Sequence, residues 1–450
     1  MITNYLYLKK WIKKIFNVEK IKTLTFYILL FLIPFKTSKH FFISESILNG
    51  KIIDYFLPTI YIQDFLIIIF ILFSLISFLK KRNSKVISKY QKIISLMFLL
   101  FIPLLLFFNH QYLKDKIFII KYLRVIEYIF LIVSILIQKK NFLDVKKITI
   151  IFSLSSLLIS LIVIGEFILQ QSLGFKFLGE WDFNSNTSGL ATFYLNGFNI
   201  IRPGATFPHP NIIAFYVSLI SSLNIYLLFI KRQKRYLFIF LINTLAIALL
   251  FSKIGYLLFF INIIISSIYL SFIHRDKLET RLKSKNKLFA VFIIIIILMI
   301  SPLFIIRTNS LLLSDYSSLE RRYFLNEIAI RSIEKNIIKG VGLNRFLFQF
   351  NSDDFSNLYS FVQPVHNFYL LFLSENGIIV FILFLFILLF GLFLQIDLFI
   401  DKEKNFFRLF LIIFCILFII ASFWDHYFYS LFQGNLIFSV FISLSLLYRE

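Results

Sequence analysis

Long apolar runs separated by short polar segments dominate the chain. Residues 289–300 and 378–394, for example, carry no charged side chain. A membrane span needs about 20 apolar residues, and lipid offers no partner for unpaired backbone groups, so such runs must be helical. The pattern predicts an all-α polytopic membrane protein with about twelve transmembrane helices. We place them at residues 22–35, 59–79, 93–109, 117–137, 148–168, 211–230, 236–252, 254–273, 288–306, 366–396, 408–423 and 435–448.

Composition excludes a soluble protein. The chain has 450 residues, is 59% hydrophobic and has a mean hydropathy of +0.84, which is more apolar surface than a soluble fold of this length can bury. The single cysteine, Cys415, lies in an apolar run, so neither a disulfide framework nor a cysteine metal site is predicted. Residues 1–22 are basic and lead straight into the first span, so we do not expect a cleavable signal.

The net charge of +23 is not taken to indicate a nucleic-acid partner. The distribution of the basic residues instead predicts how the chain is oriented in the membrane. With the N-terminus inside, the inner segments hold 30 lysines and arginines and the outer segments 15. Basic residues concentrate in cytoplasmic loops. Both termini are therefore predicted to be cytoplasmic, in a multi-pass protein of the inner or plasma membrane.

This orientation brings polar segments from distant parts of the chain to the outer face. We divide the chain into a membrane bundle (1–306), an outer helical loop (307–365) and C-terminal spans (366–450). Because polar motifs without a function would scatter over both faces, we predict a functional site on the outer face. The segments concerned are the turn at 202–211, Ser252-Lys253, the loop 307–365, His366-Asn367 and 424–426.

The two longest outer segments carry their own signals. In loop 307–365, Ser317 to Glu320 matches a capping box, apolar residues then recur at helical spacing, and Gly340 is placed to end the helix. We expect an amphipathic helix at the outer surface. The second segment, 169–200, is expected to cover the site.

The turn at 202–211, Arg-Pro-Gly-Ala-Thr-Phe-Pro-His-Pro-Asn, is the strongest candidate for chemistry. Its prolines exclude a helix interior and fix the directions of its side chains. Asn211 then opens the next apolar run, as a helix cap would. Arg202 either snorkels to lipid headgroups or presents a rigid fork to a phosphate or pyrophosphate.

Other polar residues allow a structural and a functional interpretation. His366 is either interfacial or a general base that titrates near neutral pH, and Lys253 is either solvated or a second cation for phosphate. Glu375 lies away from the His366 face of its helix and is predicted to be structural. Lys121, Arg124 and Glu127 form a row within one span and are expected to pair with one another or with another helix, and a substrate path is the alternative.

Several signatures of other protein classes are missing from the sequence. There is no Gly-x-x-x-x-Gly-Lys-Ser/Thr loop, no His-Glu-x-x-His motif and no dense acidic cluster. No cofactor and no metal are therefore predicted.

The ordered outer motifs resemble the O-antigen ligase and polymerase family over roughly residues 200–445. These motifs are the 202–211 turn, Phe251-Ser-Lys-Ile-Gly255, Arg321-Arg322 with Ile338-Lys-Gly-Val-Gly342, Val365-His-Asn-Phe-Tyr369 with Glu375-Asn-Gly377, and Asp425-His-Tyr427 with Gln433-Gly434.

The resemblance implies a GT-C-like membrane glycosyltransferase of cell-surface polysaccharide biosynthesis. Such enzymes pass a glycan from an undecaprenyl-diphosphate carrier to a sugar hydroxyl, on a lipid A core or on another glycan, and the ligases need no metal. Carried onto this chain, His366 would be the base, and Arg202 would bind the pyrophosphate with Arg321 or Arg322. The family usually has arginine where this chain has Lys253, and lysine keeps the charge but loses the bidentate fork. The other expected substrate-binding residues are His209, Asn211, Asn367 and Asp425.

Three alternatives stay open at the level of sequence. One is a catalytically inactive relative of the family, because Lys253 stands where the family usually has arginine. A polymerase that extends the carrier-linked glycan would differ only in its acceptor. A flippase or other transporter would need charged residues along a central cavity and internal repeats, whereas here the polar residues gather at one face.

Overall fold

The chain folds into a bundle of helices, with long connections between residues 33 and 61 and between residues 170 and 209. The computed structural model describes residues 17–80, 88–139, 142–184, 186–187, 189–195, 198–275, 301–306, 316–350, 362–401 and 405–448. The helices are α1 Val18–Leu32, α2 Ile62–Lys80, α3 Lys89–Phe108, α4 Lys116–Leu136, α5 Val145–Leu169, α6 Pro210–Phe229, α7 Arg235–Leu249, α8 Lys253–Arg275, α9 Tyr316–Lys335, α10 Phe368–Asp401, α11 Phe406–Ser422, α12 Tyr427–Ser430 and α13 Phe432–Leu447.

The predicted spans agree with these helices. Every span except the ninth coincides with one helix to within a few residues. The ninth, 288–306, falls largely outside the described residues, of which 301–306 are helical. In the described part of the chain, α2, α3, α5, α6, α8 and α10 are long and apolar enough to cross a membrane, and α7, α11 and α13 are shorter apolar helices. The protein is an all-α polytopic membrane protein, while the number of twelve crossings stays a prediction.

Helix α6 is the centre of the bundle. Nearly all its side chains are buried, and it packs against α5, α7, α8 and α11. The last helix, α13, packs against α4 from the first half of the chain. The turn that begins α6 is therefore surrounded by both halves of the protein.

The row of charges in α4 pairs as predicted. Arg124 bonds to Glu127 at 2.7 Å and to Asp64 of α2, and the Lys121 ammonium donates to the Tyr429 carbonyl at 2.8 Å. Charges within a span are costly unless they are paired, so these contacts join α4 to α2 and to the last part of the chain.

Helix α10 corresponds to the single span predicted at 366–396, but it contains a break that was not predicted. Gly377 interrupts it with φ 72° and ψ 172°, a conformation essentially restricted to glycine. The Ile378 N–H donates to the Ile337 carbonyl instead, at 2.8 Å. The break lets the segment after α9 pack against the N-terminal part of α10, where an added Cβ on Gly377 would overlap the Ile338 carbonyl.

The loops before α2 and before α6 contain short β-ribbons that the sequence did not predict. Each ribbon is an antiparallel pair: β1 Ser38–His40 with β4 Thr59–Tyr61, β2 Ile47–Leu48 with β3 Lys51–Ile52, and β5 Thr192–Leu195 with β6 Phe198–Ile201.

The predicted amphipathic helix is α9. It ends at Lys335, and a turn leads to Gly340, which has a φ of +72°. The helix packs against α10, with Leu325, Ile328 and Ala329 buried.

Candidate active site

The Pro-rich turn joins strand β6 to helix α6. The side chain of His209 accepts a hydrogen bond from the Asn211 N–H at 3.1 Å, and Pro210 is the first helical residue. Histidine is thus the N-cap, and the prediction that Asn211 caps the helix is wrong. Proline suits the first helical position because its missing N–H has no partner there in any case. The Asn211 side chain is consequently available for other contacts.

A buried carboxylate holds the middle of this turn. Glu166, near the end of α5, accepts hydrogen bonds through Oε2 from the N–H groups of Gly204 at 3.0 Å and Ala205 at 2.8 Å. Ala205 has a φ of +47°, which costs energy for a residue with a Cβ. The two hydrogen bonds stabilise that conformation. Sequence reasoning missed Glu166, although an acidic residue at the end of an apolar span is a signal for such a role.

A hydrogen-bonded chain runs from Arg202 to His366. The Arg202 guanidinium donates to the Leu250 carbonyl and to Asn211 Oδ1, each at 3.0 Å. Asn211 Nδ2 donates to Asp425 Oδ2 at 2.9 Å, and Asp425 Oδ1 lies 3.3 Å from His366 Nδ1. Residues separated by more than 200 positions are thereby fixed relative to one another.

Ser252 ties the start of α8 to this chain. Its hydroxyl donates to Asn211 Oδ1 at 2.7 Å and accepts from the Gly255 N–H at 3.0 Å. Gly255 must be small, because an added Cβ would overlap the Ala214 side chain. The Ser252-Lys253 motif thus places the first residue of α8, Lys253, beside the turn.

The electrostatics of the site favour an ionised Asp425 and a neutral His209. Burial disfavours the charged form of Asp425, but the hydrogen bond to His366 and the positive charge of Arg322 outweigh it and hold the pKa below its ordinary value. Burial, followed by the charge of Arg202, lowers the pKa of His209 to about 3. A neutral ring agrees with Nδ1 of His209 accepting the helix-capping bond.

A cavity of about 1490 Å³ adjoins these residues. The predicted site residues on its wall are Arg202, His209, Asn211, Lys253, Arg321, Arg322 and His366. The first half of the chain adds cations that were not predicted there: Lys36, Lys51, Lys121 and Arg124. Within the described residues, no group of three or more His, Cys, Asp or Glu is arranged to hold a metal ion.

Two predicted substrate-binding residues make protein contacts instead of lining this cavity. Asn367 Oδ1 accepts from the Leu370 N–H at 3.0 Å and so caps α10. Asp425 is buried, and both its oxygens contact protein side chains. Arg322 lies close by and donates to the Trp424 carbonyl at 3.4 Å.

Glu375 has a structural set of contacts, as predicted. Its carboxylate accepts from the N–H groups of Asn344 at 2.8 Å and Phe346 at 3.1 Å, and from the Tyr429 hydroxyl at 2.6 Å. It fixes the segment after Gly342 to α10, behind the cavity.

Part of the chain is similar to a known protein family. A model of the O-antigen ligase family matches residues 237–385, a range that contains Lys253, Arg321, Arg322 and His366 but neither Arg202 nor Asp425. No curated protein matches the chain. The match confirms the resemblance found in the motifs over residues 237–385, where the chain is similar to the O-antigen ligase family.

Proposed function

We propose that the protein transfers a glycan from an undecaprenyl-diphosphate carrier to a sugar hydroxyl, on the outer face of the cytoplasmic membrane. The observation that carries this proposal is the hydrogen-bonded chain from Arg202 through Asn211 and Asp425 to His366. It ties a cation suited to diphosphate to a residue suited to proton transfer, both on one cavity wall. The O-antigen ligase match supports the reaction class.

His366 acts as the general base. Its Nδ1 faces the ionised Asp425, so the proton of the neutral ring resides on Nδ1 and Nε2 carries the free lone pair. An Nε2 lone pair accepts the proton of the acceptor hydroxyl as that oxygen attacks. Asp425 also stabilises the imidazolium that forms, as the acid does in catalytic triads.

The cations hold the leaving group. Arg202 binds the diphosphate while its hydrogen bonds to Leu250 and Asn211 fix its direction. Arg321, Arg322 and Lys253 share the cavity wall and add positive charge. Held cations stabilise the negative charge that develops on the diphosphate as it departs.

The reaction is a single displacement. The acceptor oxygen forms a bond to the anomeric carbon, the bond between that carbon and the diphosphate oxygen breaks, and the hydroxyl proton passes to His366. Attack opposite the leaving group inverts the anomeric centre. The carrier leaves as undecaprenyl diphosphate, and no nucleotide sugar, cofactor or metal is required.

The first test is glycan transfer in membranes containing the full-length protein and a carrier-linked donor. His366→Ala and Arg202→Ala should each lose transfer, while two exposed residues outside the cavity wall, His110→Ala and Arg331→Ala, serve as matched controls. A single added glycan indicates a ligase, and a ladder of sizes indicates a polymerase. If both site variants transfer as well as wild type at equal amounts of folded protein, the proposal is wrong.

A further inference from the structure

The cavity has a second wall that the proposed reaction does not use. Its residues come from the loop before α2, among them Lys36 and Asp54, and from the loop after α5, among them Trp181. The Trp181 side chain is 59% exposed. Among the described residues, no hydrogen bond or ion pair involves the Lys36 ammonium or the Asp54 carboxylate, although the two groups are close enough to interact electrostatically.

This wall is fixed to the Pro-rich turn. The Pro34 carbonyl accepts from the Thr206 hydroxyl and from Gln433 Nε2. Two residues later, the Lys36 N–H donates to the Leu178 carbonyl at 3.0 Å. The adjoining Gly179 lies directly against the Lys36 backbone, where a Cβ would not fit. Lys36 is therefore held at a set position relative to the turn that carries Arg202.

The loop that carries Trp181 is also anchored. The neighbouring Glu180 is buried, and its carboxylate accepts from the N–H groups of Leu173 and Phe175. These hydrogen bonds hold the turn that carries the indole. The exposed indole offers a flat apolar surface to a molecule bound in the cavity.

Contacts between rings connect this wall with the proposed base. Tyr55, next to Asp54, lies 5.9 Å from the ring of His426, which lies 5.3 Å from the ring of His366. The molecule that loses its proton to His366 is the acceptor. Lys36, Asp54 and Trp181 line the same cavity as His366, so an acceptor placed for proton transfer to His366 can extend to this wall.

The chemistry of the three side chains matches a sugar ring. A pyranose presents hydroxyls that need donors and acceptors, and a face of C–H groups that packs on aromatic rings. Lys36 is a donor, Asp54 is an acceptor, and Trp181 supplies the ring.

We propose that Lys36, Asp54 and Trp181 form a subsite that binds a sugar of the acceptor glycan. This proposal rests on the proposed transferase function and extends it to the acceptor. The subsite sets the affinity for the acceptor and leaves the binding of the carrier diphosphate to Arg202 and the other cations.

The test is steady-state kinetics of the purified full-length protein with a carrier-linked donor. Acceptor oligosaccharides are released by mild acid from the surface polysaccharide of the producing cells. Lys36→Met, Asp54→Asn and Trp181→Ala should each raise the acceptor KM about tenfold, the loss expected for one polar or stacking contact. The donor KM and the rate of donor hydrolysis by water should stay within twofold of wild type. The controls are Lys39→Met and Phe177→Ala, which alter exposed residues of the same two loops outside the cavity wall.

A binding measurement distinguishes failure of the subsite proposal from failure of the transferase proposal. The same oligosaccharides are titrated calorimetrically into wild type and Lys36→Met, without donor. Weaker binding by the variant supports the subsite even if wild type transfers nothing, a result in which only the transferase proposal fails. Equal binding, an unchanged acceptor KM, or an increase in the donor KM alone would overturn the subsite.

Discussion

Asp425 joins the two functional halves of the site, so its replacement by asparagine should disable the proposed base without removing any bulk. Asp425 uses one oxygen for Asn211 Nδ2, at 2.9 Å, and the other for His366 Nδ1, at 3.3 Å. An amide has only one oxygen. If that oxygen faces His366, the amide NH₂ opposes the NH₂ of Asn211. If it faces Asn211, the NH₂ faces His366 and favours the tautomer with the proton on Nε2, which cannot act as the base.

The magnitude follows from the lost contact. A hydrogen bond to a charged group contributes about 1.5–3 kcal/mol, which corresponds to a roughly 10- to 150-fold decrease in kcat/KM. The assay is the initial rate of glycan transfer at a fixed amount of folded protein. Asp397→Asn, at an exposed position near the C-terminal end of α10, is the matched control. A rate for Asp425→Asn within twofold of wild type would refute the role assigned to the Asp425–His366 contact.

Three further predictions concern the framework around the site. Gly377→Ala should prevent folding or lower the melting temperature in detergent by many degrees, because the Cβ meets the Ile338 carbonyl and φ is +72°; an unchanged melting temperature would contradict the close packing. Glu166→Ala removes two buried hydrogen bonds to the turn, at about 0.5–1.5 kcal/mol each, and should lower stability and transfer together. Unchanged stability and unchanged transfer would show that Glu166 does not hold the turn. The pKa of His209 falls from 6.5 to about 3 in the fold, so the unfolded chain binds a proton between these pH values that the folded chain does not, and stability should decrease as pH drops below about 6.5. His209→Asn keeps a capping acceptor and should flatten this pH dependence of the melting temperature. An equally steep dependence in the variant would contradict the role assigned to His209.

The helices could be predicted from sequence because a long apolar run within lipid has no regular structure open to it other than a helix. The same reasoning failed at Gly377, since one glycine within an apolar run does not reveal whether the helix continues or breaks there. The break depends on the segment around Ile338 packing against it, a contact that no local pattern encodes.

The candidate site was partly predictable for a different reason. Arg202 and His366 stood out because polar residues beside prolines interrupt apolar runs. The bond between Asn211 and Asp425 could not be found in this way, because it depends on how helices distant in sequence pack together. Glu166, Lys36 and the β-ribbons were missed because isolated acids, lysines and short strands in loops have no periodicity to detect.

Chemical rescue of the proposed base tests the central claim most directly. His366→Gly leaves space for imidazole, and transfer by this variant from a carrier-linked donor is measured as imidazole is added. We expect a loss of about 10²- to 10⁴-fold, the usual contribution of a general base. We also expect rate to be restored in proportion to the unprotonated imidazole present, with no such effect on wild type or Arg202→Ala. Transfer by His366→Gly at the wild-type rate, without imidazole, would contradict the account.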